Sequence, residues 1–383
     1  MDSPFIYDKY VTGKNFIGRK TECTILSNLI RQGEHVALYE PPKSGKMSLI
    51  QQTLFQLRIA GTPFLAGEFS VLNARTPERF LLRFGSTVIR MVAGTPAEYA
   101  GIVAQYLGGT HFVFDPKRFS DTDEVLSLNW DLEPDDILAV LRLPWRLAAD
   151  RDTHLILILN EFQGILHHED EERILKPLET VVREEAGGAF SMVFCGSRVN
   201  AMKSIFEGNR KFLHRRVEPL RLGPVDERDI VEHIIKGFLS GGKVIERDLL
   251  KGACRLFRNN LWYLNHFASV CDAKSKGYIM EPVLLEALDA VIAVHEPRFI
   301  AMMEDLTTHQ VNLLKAIVDG HTKFSGSRVV REYSLNSSAN VKRVKDALMK
   351  KEIVTFNAQD EPEILDPLFA YWVRKYYFEI KDA

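Results

Sequence analysis

The sequence predicts an α/β domain with a largely parallel sheet, then a small helical domain, then a winged helix-turn-helix. To about residue 222, short apolar runs alternate with longer amphipathic runs, as in α/β domains. Only helical patterns follow, to about residue 304. The last segment contains three helical patterns and two short strands, which is the layout of a winged helix. We therefore expect domains at residues 1–222, 223–305 and 306–383.

The composition is that of a globular protein. Of 383 residues, 46% are apolar and 26% are charged, which excludes wholesale disorder. The 49 basic and 51 acidic residues give a net charge of -2, so a globally basic coat for nucleic acid is excluded, although a local basic patch is not. The longest aliphatic run, Leu155–Leu159, is far shorter than the roughly 20 residues of a membrane span.

Cysteine usage and the first residues suggest a location. Four cysteines without any CxxC spacing are too sparse for a disulfide framework. The opening MDSPFIYDKY has neither a basic region nor an apolar stretch, so we expect no signal peptide. Together these features predict a cytoplasmic protein without membrane partners.

The elements of the first region follow from periodicity. Four apolar, partly β-branched runs predict buried strands, namely His35–Tyr39, Thr62–Val71, His154–Leu159 and Phe190–Cys195. Helical patterns between them are Met47–Ile59, Thr76–Met91, Pro134–Ala149 and Glu171–Glu185. Residues 93–129 fit this alternation poorly, and we interpret them as an insertion.

The later regions are mostly helical. The second region shows no strand pattern, and its predicted helices are Glu227–Leu239, Glu246–Phe257, Leu261–Ala273 and Glu281–His295. The third has predicted helices Thr308–Val318, Gly326–Tyr333 and Ser337–Lys351, then strands Ile353–Phe356 and Glu363–Leu365.

A phosphate-binding loop is predicted between the first strand and the first long helix. The motif G-x-x-x-x-G-K-[ST] holds phosphates with backbone N–H groups and a helix N-terminus. Gly45 and Lys46 fit this motif, but Glu40 replaces its first glycine and Met47 its hydroxyl residue. Ser48 is a poor substitute, because one helical residue turns the side chain by about 100°. The candidate nucleotide-binding residues here are Pro42, Lys43, Ser44, Gly45, Lys46, Met47 and Ser48.

A second candidate segment, LILILNEFQ, ends a buried strand with Asn160 and Glu161. In ATPases with a phosphate loop, an aspartate here holds Mg²⁺ and a following glutamate orients water. Asn160 keeps an acceptor oxygen but has no charge. Glu161 has the chemistry of a base and is the candidate catalytic residue.

Several short motifs resemble one family. They are Phe16, Ile17, Gly18, Arg19 and Glu22 before the loop; Asn160, Glu161, Phe162 and Gln163; Gly196 and Ser197; and Asp366, Pro367, Leu368, Phe369 and Trp372. In these residues the chain resembles the archaeal-type ATPases of the AAA+/STAND group of P-loop NTPases. The resemblance extends from about Phe5 to Tyr377. It implies an AAA+-like core, a helical lid and a C-terminal winged helix.

The resemblance also implies site roles. Ile17, Gly18 and Arg19 would lie near adenine, and Ser197 would sense the γ-phosphate. Arg215 or Arg216 resembles the arginine that reads the phosphate state. The position of Asn160 would carry the metal-linked aspartate. The usual G-x-P-like turn of the lid is replaced by Asn259, Asn260, Leu261 and Trp262.

Because the departures fall on metal-binding positions, we predict a degenerate ATPase that acts as a nucleotide-responsive switch or an inactive relative. Its cofactor would be ATP or ADP, held weakly or not at all, with Mg²⁺ weak or absent. Two alternatives stay open. One is an active but slow ATPase that uses Glu161 as base. The other is a DNA-binding protein that no longer uses nucleotide.

The partner of the winged helix is also open. Its third helix carries the candidate DNA-binding residues Lys342, Arg343 and Lys345, with Lys350 and Lys351 nearby. Such charge suits phosphate contacts in a major groove. The predicted wing is acidic, however, with Asp360, Glu361 and Glu363, and this favours a protein partner or intramolecular packing.

Elsewhere, His167 and His168 with the acids after them are predicted to be a solvated helix start rather than a metal site.

Overall fold

The computed structural model describes residues 4–122, 124–185, 188–208 and 212–381. The chain divides into two compact units. One unit, here called the sheet unit, comprises Lys20–Glu40 and Gln52–Arg221. The other, the helical unit, comprises Met1–Arg19, Pro41–Gln51 and Leu222–Ala383.

The sheet unit alternates strands with helices. Its strands are β1 (His35–Tyr39), β2 (Phe64–Ser70), β3 (Phe112–Val113), β4 (Ser127–Leu128), β5 (His154–Asn160), β6 (Phe190–Gly196) and β7 (Val217–Leu220). Its helices are α1 (Lys20–Arg31), α2 (Lys46–Ile59, whose first residues belong to the helical unit), α3 (Pro77–Val92), α4 (Pro96–Leu107), α5 (Pro116–Thr122), α6 (Pro134–Arg151), α7 (Glu172–Glu184) and α8 (Val199–Phe206).

Five of these strands form one parallel sheet in the order β2-β5-β6-β1-β7. Every residue of β1 and β6 is buried, and so are the five central residues of β5. Strands covered on both faces are apolar throughout, which is why these runs could be predicted from the sequence. The predicted α/β architecture with a parallel sheet is confirmed.

The predicted insertion at residues 93–129 is largely ordered into its own elements. It contains α4, α5 and the antiparallel pair of β3 with β4. Helix α4 begins with a capping box, in which the Thr95 side chain accepts from the Glu98 N–H and Glu98 accepts from the Thr95 N–H. His111 links the segment to α6 through hydrogen bonds to both carboxylate oxygens of Asp136.

The helical unit continues the chain order. Its helices are α9 (Glu227–Ser240), α10 (Arg247–Leu256), α11 (Leu261–Lys274), α12 (Glu281–Glu304), α13 (Thr308–Val318), α14 (Ser327–Glu332), α15 (Ser338–Lys350) and α16 (Pro367–Trp372). Its strands are β8 (Val244–Ile245), β9 (Tyr278–Ile279), β10 (Val354–Phe356) and β11 (Pro362–Ile364).

Two predictions of secondary structure fail in residues 226–304. No strand was expected in residues 226–304, yet β8 and β9 pair in parallel. Two-residue strands are too short to produce an alternating pattern. Helix α12 also runs nine residues beyond the predicted end at His295, because Pro297 lies inside the helix without ending it.

One apolar core fills the helical unit. Its buried side chains come from α9 to α13, from α15 and α16, and from β10 and β11. Phe5, near the start of the chain, joins this core and meets the ring of Phe238 edge-on. Among the described residues, no helix has both the length and the apolar character needed to cross a membrane.

Candidate nucleotide-binding site

The phosphate loop curls around the side chain of Lys46. Gly45 has a φ of +89°, and a Cβ atom there would meet nothing within 4 Å. Helix α2 begins at the next residue. The Lys46 side chain is buried, and its ammonium group donates to the carbonyl of Pro41 at 2.8 Å and to Ser44 Oγ at 3.4 Å. Together, the lysine and the N-terminus of a 14-residue helix form an arrangement that suits phosphate.

Glu40 stands where the motif has its first glycine. The sequence suggested that this position needs unusual backbone torsions, but Glu40 is not among the described residues with positive φ. Its N–H donates to the carbonyl of Gly196 at 3.4 Å and thereby extends the pairing of β1 with β6. The positive φ lies instead at Lys43, at +64°, and at Gly45. The loop therefore forms without a glycine at residue 40.

Residues 17–19 hold the loop in place. Arg19 Nη2 donates to the carbonyl of Ser44 at 3.3 Å, and Nη1 donates to the carbonyl of Gly223 at 2.9 Å. Ile17 packs against the apolar core of the helical unit. At Gly18, φ is +64° and an added Cβ would lie 2.9 Å from Val225 Cγ1. The conformation and contacts of these residues tie the loop to the chain at residues 223–225.

The phosphate loop offers few ligands to the Mg²⁺ ion that this kind of fold implies. Met47 has no oxygen to offer a hard cation. Ser48 is already engaged, since its Oγ accepts a hydrogen bond from the Val11 N–H at 3.1 Å. In the part of the chain that the structure describes, no three His, Cys, Asp or Glu side chains converge as a metal site would need. These donors do not fit a magnesium centre, and we derive no chemical step through one.

Four polar side chains meet at the carboxyl ends of β5 and β6. Glu161 has a φ of +51°, and its Oε2 atom accepts hydrogen bonds from Ser197 Oγ, at 2.6 Å, and from the Gln163 amide. Asn160 Oδ1 accepts from the Glu161 N–H at 3.0 Å. The structure thus brings together Asn160, Glu161 and Ser197, which the strand ends predicted, and adds Gln163.

Glu68 on β2 is a neighbour that the sequence did not single out. Asn160 Nδ2 donates to Glu68 Oε1 at 3.3 Å. Burial raises the pKa of Glu68, and the hydrogen bond from Asn160 acts in the opposite direction. The amide of Asn160 therefore binds the carboxylate of Glu68. An aspartate at residue 160 would instead repel that carboxylate. The sequence did offer one sign of this role, since Glu68 is the lone acid within the predicted buried strand Thr62–Val71.

Arg215 and Arg216 do not lie where the resemblance placed them. Arg216 precedes β7 and faces His35, the residue at the amino end of β1. Glu161 and Ser197 follow the carboxyl ends of their strands, at the opposite edge of the same sheet. Both arginines are exposed. The structure does not bring them to Ser197, and we do not retain a phosphate-reading role for them.

Arg221 is an arginine that the structure places at the carboxyl edge of the sheet. It follows β7 and donates to the carbonyl of Tyr39 at 3.4 Å and to the Tyr39 hydroxyl at 3.0 Å. It also forms an ion pair with Glu207, to which the Tyr39 hydroxyl donates as well. Sequence reasoning missed Arg221, although its position directly after a strand could have indicated this edge.

The start of α11 takes the place of the expected G-x-P-like turn. Arg258 and Asn259 adopt positive φ values of 49° and 55°, which a glycine would normally supply. Asn260 caps the helix, since its Oδ1 accepts from the N–H groups of Trp262, at 3.0 Å, and Tyr263, at 3.2 Å. The loop residue Lys43 places its Nζ atom 3.4 Å from the centroid of the Trp262 ring.

Solved structures share this architecture along almost the whole chain. The Walker-type ATPase PABY2304 of Pyrococcus abyssi matches with a TM-score of 0.66 at 14% identity, over 97% of this chain and 99% of that one. The chain has the fold of an archaeal Walker-type ATPase. The ORC2 protein of Aeropyrum pernix, solved in ADPNP–ADP complexes, matches with a TM-score of 0.55 at 14% identity, over 96% and 98% of the two chains.

The C-terminal part is a winged helix. Residues 297–375 match a family model described as a probable winged helix domain. The observed order α13, α14, α15, β10 and β11 agrees with the predicted layout. No curated protein matches the chain.

The predicted DNA-contacting residues of the winged helix differ in their surroundings. Lys342 and Arg343 on α15 are exposed, and neither forms an ion pair with another described residue. Lys345 is bonded to Asp360 and lies 4.0 Å from the ring centroid of Phe356. Since its charge is already neutralised by the wing, Lys345 does not offer the free cation that the sequence suggested.

The histidines before α7 also differ from prediction. His168 was expected at a solvated helix start, but its side chain is buried, and Nε2 bonds the carbonyl of Ala74. Burial is the main cause that lowers the pKa of His168. His167 is exposed, as expected. The segment forms a 3-10 helix, Phe162–His167, before α7 begins at Glu172.

Proposed function

We propose that this chain binds an adenine nucleotide through its phosphate loop, hydrolyses it very slowly or not at all, and uses nucleotide occupancy as a signal. The receiver is the winged helix or a protein that binds it. The two hydrogen bonds to Glu161 Oε2 carry this proposal. They engage one of the two carboxylate oxygens of the candidate base with its own neighbours, which leaves only Oε1 to accept a proton from water and makes Glu161 a poor base.

Support for nucleotide binding comes from the loop and from the fold. Lys46, Gly45 and the N-terminus of α2 are the groups that would hold phosphates. Arg19 fixes the loop through the carbonyl of Ser44. The ORC2 protein of Aeropyrum pernix, which shares the fold, was solved in ADPNP–ADP complexes and in an ADP form. We extend nucleotide binding to this chain on the basis of its own loop residues.

Support for poor hydrolysis comes from the metal-binding positions. Most phosphoryl-transfer catalysis is positioning and charge stabilisation, in which Mg²⁺ has a large share. Met47 and Asn160 stand at the two positions that usually anchor the ion, and Ser48 is bonded to Val11. Polyphosphate can still be held by Lys46 and by backbone N–H groups, because these contacts require no metal.

The domain division at residues 1–222, 223–305 and 306–383 remains part of this proposal. The first part would hold the sheet, the second the helices α9 to α12, and the third the winged helix. The core shared by α9 to α13, α15 and α16 supports a close energetic coupling between the second and third parts. Such coupling is what a switch needs in order to pass a signal between them.

The test combines binding with turnover. We expect ATP and ADP to raise the melting temperature with and without Mg²⁺, because a ligand that binds only the folded state stabilises it by mass action. Lys46→Ala should remove the shift, and Lys117→Ala, at an exposed lysine of α5, should not. Mg²⁺-dependent ATP turnover that Lys46→Ala abolishes would contradict slow hydrolysis. The absence of any shift at millimolar nucleotide would contradict binding.

DNA binding is the second candidate function. Exposed Lys342 and Arg343, on the third helix of a winged helix, favour it. The neutralised Lys345 and the acidic residues Asp360 and Glu363 of the wing weaken it. Salt-dependent DNA binding that ignores ATP would support this function over the switch.

A further inference from the structure

Within the helical unit, the phosphate loop contacts α11 through the side chain of Lys43. Its Nζ atom lies 3.4 Å from the ring centroid of Trp262 and 5.8 Å from that of Tyr263. Both aromatic residues stand in the first turn of α11. An ammonium group over an indole face is attracted by the ring quadrupole, most strongly for tryptophan. The loop and α11 are therefore joined by a contact that depends on a positive charge.

The contact continues from α11 to the winged helix. The Tyr263 hydroxyl lies 2.9 Å from both carboxylate oxygens of Asp366. Arg298 on α12 forms an ion pair with the same carboxylate. Asp366 is also the N-cap of α16, since its Oδ1 accepts from the N–H groups of Leu368, at 3.0 Å, and Phe369, at 3.1 Å. One carboxylate thus holds α11, α12 and α16 together.

The charges of this cluster influence one another. Burial lowers the pKa of Lys43 to about 8, with Arg298 acting in the same direction and Asp366 opposing it. Burial lowers the pKa of His295 to about 4, and the charges of Lys43 and Arg298 add to this effect. His295 is packed near Trp262 and Tyr263, with ring centroids 5.7 Å and 5.5 Å away. The site of Lys43 is therefore electrostatically connected to Asp366.

We propose that the contact of Lys43 with Trp262 transmits the occupancy of the phosphate loop to the winged helix. A bound phosphate group and the Trp262 ring compete for the Lys43 ammonium group, and the phosphate wins because its hydrogen bond joins two opposite charges. When Lys43 leaves the ring, the first turn of α11 loses an anchor. The bond from Tyr263 to Asp366 then loosens, and so does the cap of α16.

This inference rests on the proposed nucleotide binding and adds the route of its regulation. Coupling between two sites is reciprocal, so a change at α16 also alters the affinity of the loop for nucleotide. Removal of the competing ring should tighten nucleotide binding. Removal of the Lys43 charge should reproduce, without any ligand, the effect of nucleotide on α16.

The first experiment measures the dissociation constant of ADP by calorimetry. Trp262→Leu should bind ADP about two- to fivefold more tightly than the wild type, the factor that corresponds to a cation–π contact of ordinary strength. Trp130→Leu is the matched control, because Trp130 is 72% exposed, and it should leave the affinity unchanged. Unchanged or weaker binding by Trp262→Leu would overturn the inference.

The second experiment needs no nucleotide and also serves if Trp262→Leu fails to fold. In Lys43→Met, hydrogen exchange at the amides of Leu368 and Phe369 should be several-fold faster than in the wild type, while Lys117→Met should match the wild type. Equal exchange in all three proteins would overturn the transmission route.

Adding ADP distinguishes a failure of the transmission route from a failure of the proposed nucleotide binding. In the wild type, ADP should accelerate the same two amides, and in Lys43→Met it should add nothing. A wild type that binds no ADP would contradict nucleotide binding, whereas the Lys43→Met result would still decide the route. A wild type that binds ADP without any change at these amides would contradict the route alone.

Discussion

The hydroxyl oxygen of Ser197 lies 2.6 Å from Oε2 of Glu161, and it donates a hydrogen bond to that carboxylate. Gln163 donates to the same oxygen. A general base must present a free lone pair within hydrogen-bond distance of the proton that it accepts. The resemblance assigned Ser197 to the γ-phosphate, but in this structure its proton is directed at the candidate base.

Restoring the metal-binding residues should produce an ATPase. The double variant Met47→Thr with Asn160→Asp introduces the hydroxyl and the carboxylate that usually anchor Mg²⁺, and the charge of the bound ion would offset the repulsion between the new carboxylate and Glu68. We expect its Mg²⁺-dependent phosphate release to exceed that of the wild type by at least about tenfold, since metal coordination and charge stabilisation account for much of phosphoryl transfer. Adding Glu161→Gln should return the rate to the wild-type level. A double variant that binds ATP but gains no turnover would show that the defect lies elsewhere.

The protein should require a glycine at residue 18, because Val225 leaves no room for a Cβ atom there. An alanine at residue 18 would have both a positive φ and a Cβ atom 2.9 Å from Val225 Cγ1. Gly13 offers a matched control, because its φ is +60° but nothing lies within 4 Å of an added Cβ. We expect Gly13→Ala to cost about 1 kcal/mol and Gly18→Ala at least about 1 kcal/mol more, as measured by urea unfolding. Equal losses would mean that Val225 moves aside freely.

Acid should destabilise the protein through His35. Burial lowers the pKa of His35 to about 4, with Arg216 as a second cause, and its Nδ1 accepts a hydrogen bond from the Met192 N–H at 3.0 Å. Because the folded state favours the neutral ring, the stability is complete above the unfolded pKa of about 6.5 and is lost as the pH falls toward 4. One such group contributes a slope of about 1.4 kcal/mol per pH unit in this window.

The variant His35→Asn keeps an acceptor for Met192 but cannot titrate. Between pH 6.5 and pH 4, its free energy of unfolding should fall less steeply than that of the wild type. The difference in slope should correspond to the uptake of about one proton on unfolding. His167→Gln, at an exposed histidine, should keep the wild-type slope. If His35→Asn has the wild-type slope as well, His35 is protonated in the folded state.

DNA affinity, if present, should depend on Lys342 and Arg343. Each cation that contacts a phosphate contributes about 0.9 to the slope of log affinity against log salt. We expect Lys342→Ala and Arg343→Ala each to lower this slope by about one. Lys345→Ala should leave it unchanged, because Lys345 is bonded to Asp360. A larger effect of Lys345→Ala than of the other two would show that the wing releases it on binding.

Much of the fold was predictable because local patterns encode local structure. Helix α13 has the predicted bounds Thr308–Val318, and strand β1 the predicted bounds His35–Tyr39. Strands buried on both faces and amphipathic helices leave periodic traces in contiguous residues. Two-residue strands such as Val244–Ile245 leave none, so β8 was missed.

The sequence by itself determined which residues follow the ends of the strands, and hence that Asn160, Glu161 and Ser197 share one edge of a parallel sheet. It also determined that Met47 offers no oxygen to a metal. Only the tertiary structure decided that Ser197 is bonded to Glu161, that Arg216 lies at the other edge, and that Lys43 meets Trp262. Side-chain partners distant in sequence depend on how the chain returns on itself, and periodicity carries no information about that return.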